Sequence, residues 1–254
     1  GLKARNRNDG HGNLLLVGVG GAISSVKLDV NGFPLVDYGR FGAITDTLTT
    51  PEYDVSCNED HIYADGSHLA LFQPTQYAIY LAKYKPDGSP DAAFGGNGRV
   101  DFPYGAANAG YVELGVLPSG RIVLGGEASG NTFILMGLLP DGSVDPSFGT
   151  NGIVVRNDLK GCTGLEVLPD GRFLCLTTDP LDLTHFAFAM FTADGELDPT
   201  FMDNGVLNVF PPGFGTHHCD HFQYMPDGRL LLADASLSER IIRLTADGIG
   251  VVDL

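Results

Sequence analysis

The 254-residue chain has no tryptophan, only four cysteines and fifteen basic residues, no long apolar run and no stretch of helical periodicity. Each shortage removes a class of function. A membrane helix needs about 20 consecutive apolar residues. None is present, so no membrane insertion is expected. The opening GLKARNRNDG lacks the apolar core of a secretory signal, so any such signal is expected to have been removed or never present. Against 15 basic residues stand 31 acidic ones, a formal charge of −16. Nucleic acid and anionic membranes are held by basic residues, so neither is an expected partner. An acidic surface suits solubility and cationic or basic ligands. Cys57, Cys162, Cys175 and Cys219 are too few for a disulfide scaffold and leave the redox compartment open. Without tryptophan, sugar stacking falls to nine Tyr and fifteen Phe. No Gly-x-Ser-x-Gly elbow, phosphate loop or dinucleotide fingerprint occurs, which removes the serine-hydrolase and nucleotide readings.

What is abundant is glycine and proline, 35 and 15 residues, a level near which turns dominate. They recur in register. YKPDGSPDAAFGGNGRV (84–100), LLPDGSVDPSFGTNGIV (138–154) and FTADGELDPTFMDNGVL (191–207) align without gaps. A degenerate copy, LDVNGFPLVDYGRFGAI (28–44), precedes them and LTADGIGVVDL (244–254) follows. The turn glycines Gly32, Gly88, Gly142, Gly195 and Gly248 are spaced 56, 54, 53 and 53 residues apart. A second motif alternates with the first: VLPSGRIVLGG (116–126), VLPDGRFLCLT (167–177), YMPDGRLLLAD (224–234), and weaker copies at 8–18 and 63–73.

Pro-Asp-Gly between apolar runs suits a type I turn followed by a left-handed residue, because proline presets φ and glycine accepts a positive one. Asn-Gly at 97–98, 151–152 and 204–205 is a second hairpin signal. Each unit therefore reads as four antiparallel strands that cannot bury both faces alone. Five such sheets packed around an axis make an all-β, five-bladed β-propeller, a single domain of 1–254 with blades near 1–50, 51–105, 106–158, 159–212 and 213–254.

The combination of PDGR with an apolar run, followed by DG-x-x-D-x-x-FG-x-x-G, resembles the delta-60 repeat, a bacterial propeller-type repeat without an assigned activity. The resemblance is close at 84–100 and 138–154, good at 191–207 and weak at 28–44. Met202 stands where the other copies have glycine, and Leu35 where they have aspartate. The resemblance implies a bacterial, often exported protein, secreted, on the cell surface or periplasmic, and it transfers no catalytic residue.

Residues present in every unit are most simply part of the frame. Asp91, Asp145 and Asp198 are expected to accept from the backbone two residues on, and Phe94, Phe148 and Phe201 to anchor their loops. The rival is calcium at Asp141-Gly142…Asp145, with only two oxygen side chains per unit against the three or more usual in calcium loops. Function is expected where the repeat is broken, on the innermost strands. Counting back from the second-motif glycine, the ninth residue is Cys57, Tyr111, Cys162 or Cys219, the seventh Glu59, Glu113, Gly164 or His221, and the sixth Asp60, Leu114, Leu165 or Phe222. The sixth set is mostly apolar and suits packing between blades.

The stretch THHCDHF (216–222) opens the last such strand. Side chains alternate along a strand, so His217, Cys219 and His221 share one face, and His218 and Asp220 the other. With Cys162, the face of His217, Cys219 and His221 could hold zinc, and Cys162 and Cys219 could form a disulfide. Packing beside a polar channel mouth is the simpler reading, with no cofactor. Glu59, Glu113 and Glu166 supply carboxylates for glycoside hydrolysis, which needs a pair about 5–10 Å apart. The leading expectation is a non-enzymatic scaffold that binds a protein or glycan through His217, His218, Asp220, His221, Glu59 and Tyr111. The alternative is a glycoside hydrolase using Glu59 and Glu113.

Overall fold

The computed structural model describes residues 5–8, 12–17, 25–44, 56–75, 78–101, 113–128, 130–178, 186–202, 204–209, 221–234, 240–244 and 251–253. The described residues are strands and turns throughout, and every strand pairing is antiparallel. Contacts divide the chain into two compact units, 1–109 with 139–143, and 110–138 with 144–254.

The first unit holds two four-stranded sheets. One is β1 (Arg5–Asn8), β2 (Leu14–Val17), β3 (Ser25–Leu28) and β4 (Ala43–Ile44). The other is β5 (Ser56–Ile62), β6 (His68–Thr75), β7 (Ala78–Tyr84) and β8 (Arg99–Asp101). Leu15, Tyr38, Ile44, Ala70, Phe72, Tyr80, Ala82 and Tyr84 form the core between them.

In the second unit, β9 (Glu113–Val116), β10 (Ile122–Ala128), β11 (Thr132–Leu138), β12 (Ile153–Val167), β13 (Phe173–Thr178), β14 (Phe186–Phe191) and β15 (Val206–Val209) form one sheet of seven strands in sequence order. A further four-stranded sheet follows, from β16 (His221–Tyr224), β17 (Leu230–Asp234), β18 (Arg240–Leu244) and β19 (Val251–Asp253). Two of the repeats share a strand. The 15-residue β12 pairs with β11 through Ile153–Arg156 and with β13 through Gly164–Val167. It is the last strand of one repeat and the first of the next, and the expected boundary at 158/159 falls inside it. No proline interrupts IVVRNDLKGCTGLEV, and a bulge between Lys160 and Gly164, with Gly161 at φ +42°, absorbs the change of partner.

The turns follow the chemistry of their sequence. Gly88, Gly142 and Gly195 sit at φ +83°, +86° and +83°, each donating its amide to the carbonyl three residues back. The aspartate before each of the first two accepts from the serine after it, at 2.9 Å for both Ser89 and Ser143. Only a residue without a β-carbon takes such a φ at no steric cost. Met202 keeps the left-handed conformation of Gly39, Gly95 and Gly149, at φ +45° against +57°, +59° and +52°. The loop geometry therefore survives that substitution.

Candidate functional site

The repeated loop aspartates do what the turn chemistry expects and one thing more. Asp145 accepts from the Ser147 amide at 2.9 Å and hydroxyl at 2.6 Å, and Asp198 accepts from Thr200 in the same way. Phe94, Phe148 and Phe201 are buried beside them. The second carboxylate oxygen is also taken. Arg121 donates from Nε to Asp145 Oδ2 at 2.7 Å, from Nη1 to Asp194 Oδ1 at 2.8 Å and from Nη2 to Ser147 Oγ at 2.8 Å. Arg172 donates to Asp198 Oδ2 at 2.9 Å and pairs with Asp170 at 2.8 Å. The hydroxyls of Ser147 and Thr200, then these guanidinium groups, hold both carboxyls below the usual range. Arg121 thus ties its own repeat to the turn of the next. The same joint exists in the backbone: Gly39, Gly95 and Gly149 donate to the carbonyls of Asp87, Asp141 and Asp194, at 2.6, 2.9 and 2.9 Å.

Two equivalent grooves run along these joints. One, of about 560 Å³, lies in the first unit between 93–101 and 141–143; the other, of about 590 Å³, lies in the second between 149–156 and 191–197. Their recurrence marks them as a product of repeat stacking.

The first strands carry the residues singled out from sequence. Leu165 and Phe222 pack between neighbouring repeats: a β-carbon on Gly115 would stand 2.4 Å from Leu165 Cδ2, and one on Gly164 2.6 Å from Phe222 Cε1. Asp60, at the same repeat position, is buried. Glu59 lies on β5 opposite Leu71, half-buried, in the first unit. Glu113 lies on β9 opposite Gly125, half-buried, in the second. The proposed catalytic pair is thus divided between units. Glu166 has a fixed partner, since its Oε2 accepts the Tyr224 amide at 2.7 Å and so pins β16 to β12. Burial raises its pKa and that hydrogen bond opposes the rise.

Cys162 fills the space over Gly125, where a β-carbon would meet its Sγ at 2.5 Å, and its thiol reaches the Gly164 carbonyl at 3.5 Å. Its thiol neighbour is Cys175. Burial first, then Cys162 and the charge of Glu113, push the Cys175 thiol pKa well up. A thiol held protonated is packing material rather than a nucleophile.

A second polar cluster lies in the core of the first unit. Ser25 Oγ and Tyr38 Oη are 2.7 Å apart, Tyr38 Oη is 3.4 Å from His68 Nε2, and the His68 ring stacks on Tyr84 at 4.8 Å. His68 is 1% exposed, and among the described residues its Nδ1 has no hydrogen-bond partner. Burial, and then the charge of Lys27, lowers its pKa to about 3. Aligned on the turns, Tyr38 occupies the place of Phe148, and His68 that of Phe173, which stacks on Phe148 at 6.4 Å. The cluster is a polar version of a joint that is aromatic elsewhere.

Tyr111, His217, His218, Cys219 and Asp220 lie outside the described residues, as do the side chains of Cys57 and His221. Among the described residues no group of three or more His, Cys, Asp or Glu could hold a metal ion, and no helix is long and apolar enough to cross a membrane.

With this geometry in hand, comparison with known proteins defines a class. A family model described as a domain of unknown function (DUF5122) beta-propeller matches residues 73–94 and 117–148, well under half of the chain. No curated protein sequence matches. Among solved structures, puromycin hydrolase is similar at 16% identity and a TM-score of 0.56, over 96% of this chain. The chain spans 37% of the length of that hydrolase. Regucalcin from Agrobacterium tumefaciens, titled a calcium-binding protein, is 12% identical with a TM-score of 0.49, over 91% of this chain and 66% of its own. At such identities the likeness to puromycin hydrolase speaks of fold alone. The class is therefore an all-β chain of antiparallel sheets with β-propeller relatives.

Proposed function

We propose that the chain is a recognition scaffold rather than an enzyme: a five-bladed propeller of four-stranded, delta-60-type repeats that binds a protein or glycan at one end. The observation that carries this reading is that its repeated charges are occupied in holding the loops of the frame, with Arg121 also reaching Asp194 of the next repeat. Arg121, Asp145, Arg172 and Asp198 bond one another and their loops, and Glu166 bonds a neighbouring strand. Binding is left to the connections that do not repeat, 101–111, 178–186 and 210–222, because loops on a rigid frame are where recognition tends to reside. Tyr111, His217, His218, Asp220 and His221 are the proposed contacts there, with Glu59 on β5. The reading needs neither zinc nor calcium, and it fits an exported protein.

A glycan array probed with the natural chain and with His218→Ala/Asp220→Ala tests it. Binding that the double variant loses, with unchanged melting, supports the reading; absence of any glycan signal moves the partner to a protein. The same glycans separate scaffold from enzyme. Neither the natural chain nor Glu113→Gln is expected to release reducing sugar. Release by the natural chain that Glu113→Gln abolishes would replace the scaffold with a glycoside hydrolase.

A further inference from the structure

The joint between the first two repeats departs from its counterparts in four residues at once. Aligned on the turn glycines, Tyr38 takes the place of Phe94, Phe148 and Phe201, and His68 that of Ile122, Phe173 and Leu230. Ser25 stands where later repeats have Leu81, Leu135 and Phe188, and Tyr84 where the next two have Leu138 and Phe191. The residues they replace are buried and apolar. The four meet at one spot in the core of the first unit. Ser25 Oγ lies 2.7 Å from Tyr38 Oη, which lies 3.4 Å from His68 Nε2, and Tyr84 is the partner of His68 across β6 and β7. A buried polar network of this kind rigidifies a core only while its members stay satisfied, because low dielectric penalises any that do not.

This network does not accommodate a further positive charge. An imidazolium donates from both nitrogens, whereas the neutral ring donates from one. Tyr38 Oη is already shared between Ser25 and the ring, and burial raises the pKa of its phenol, so it offers no anion. The groups that face His68 add to the cost. Lys27 of β3 is 9% exposed and holds its ammonium 5.8 Å from the centre of the Tyr38 ring. Burial first, and then that charge, disfavour the imidazolium. Tyr84 of β7 covers one side of the ring by stacking. Asp60 of β5 shares the face but is paired with Ala70, whereas His68 is paired with Ile62. The carboxylate is therefore a diagonal neighbour, about 7 Å away. Glu59, His61 and Lys83 lie on the opposite face of the same sheet.

We propose that this joint is an acid-operated release: a proton taken up at His68 parts the first sheet from the second, while the sheets of the second unit stay folded. In the open form the ring is hydrated and titrates in its ordinary range, so proton binding pulls the joint open. The joint is closed above pH 6.5, the ordinary histidine value, and its opening equilibrium grows about tenfold per pH unit below that. Opening bares the face formed by Ala70, Phe72, Tyr80, Ala82 and Tyr84. The corresponding joint in the second unit stacks Phe148 on Phe173 and Phe173 on Phe191, rings that do not titrate. It does not respond over the same range.

The Gly39 amide crosses this joint to the Asp87 carbonyl, and the Gly149 amide makes the same bond to Asp194 in the second unit. Their hydrogen exchange therefore reports the two joints separately. Measured by NMR between about pH 6.5 and 4.5 and corrected for intrinsic rates, Gly39 protection should fall about a hundredfold while Gly149 protection holds. A dye for exposed apolar surface should bind over the same range. His68→Phe and His68→Gln both remove the titration, the first with the residue of the fourth repeat and the second with a polar end. Either should keep Gly39 protection level. Unchanged Gly39 protection in the natural chain overturns the proposal. An equal loss at Gly39 and Gly149 does so too, since that is general unfolding, as does a loss that persists in whichever variant folds.

Discussion

Arg121→Ala should lower the free energy of unfolding by about 3 kcal/mol, because it strips a buried carboxylate of its cation. The Asp145 side chain is 5% exposed and Arg121 15%, and the guanidinium carries contacts to Asp145, Ser147 and Asp194 at once. Among the described residues, the alanine leaves the Asp145 carboxylate with the Ser147 amide and hydroxyl. For a chain of this size the loss corresponds to a fall in melting temperature of roughly 6–12 °C. Arg156→Ala is the control. Its pair with Asp158 is a solvent-facing contact between residues two apart, and such pairs contribute at most about 1 kcal/mol. Equal effects from the two variants, measured by denaturant unfolding, would mean that Arg121 is ornamental.

Stability should also fall as pH drops from about 6.5 towards 3, and His68 should be the reason. Its pKa is about 3 in the folded chain against an ordinary 6.5, so over that window the unfolded chain binds a proton that the folded one refuses. The contribution is whole above pH 6.5 and declines by about 1.4 kcal/mol per pH unit below it. Between pH 6.5 and 4.5 that amounts to roughly 2–3 kcal/mol, before the loop aspartates begin to protonate. His68→Phe places there the residue that Phe173 supplies in another repeat, and should flatten the dependence over those two units. A natural chain equally stable at pH 6.5 and 4.5 would mean that the ring is hydrated and ordinary.

The turns, the loop aspartates and the packing of Leu165 and Phe222 were legible in the sequence because each is set by local chemistry repeated at a fixed period. Glu166 was not, since its partner is the amide of a residue 58 positions away, and main-chain groups leave no mark on a sequence. The continuous β12 was hidden because a strand that changes partners through a bulge has no turn residue to announce the change. The arginine joint was missed although its signal was present. Arginine follows the turn glycine at 121, 172 and 229, whereas Asn13 and Ser67 stand there in the first two repeats. In those two repeats the position five residues before the next turn glycine is Lys27 and Lys83, where the third and fourth have Gly137 and Met190. Lys83 Nζ lies 3.7 Å from Asp91 Oδ2 and 5.1 Å from the centre of the Tyr63 ring. A cation reaches the loop from one of two strands, and only comparison across repeats exposes the exchange.

If the repeated charges are a frame, moving the cation between its two positions should be nearly neutral, whereas removing it should not. Lys83→Met takes the residue of the fourth repeat and should cost about 1 kcal/mol, as expected for a partly exposed pair. Adding Ser67→Arg supplies the cation from the position used by Arg121 and Arg172 and should return stability to within about 0.5 kcal/mol of the natural chain. Denaturant unfolding of the two single variants and the double variant measures this directly. Recovery in the double variant is the predicted result; a double variant as unstable as the sum of its parts would contradict the frame.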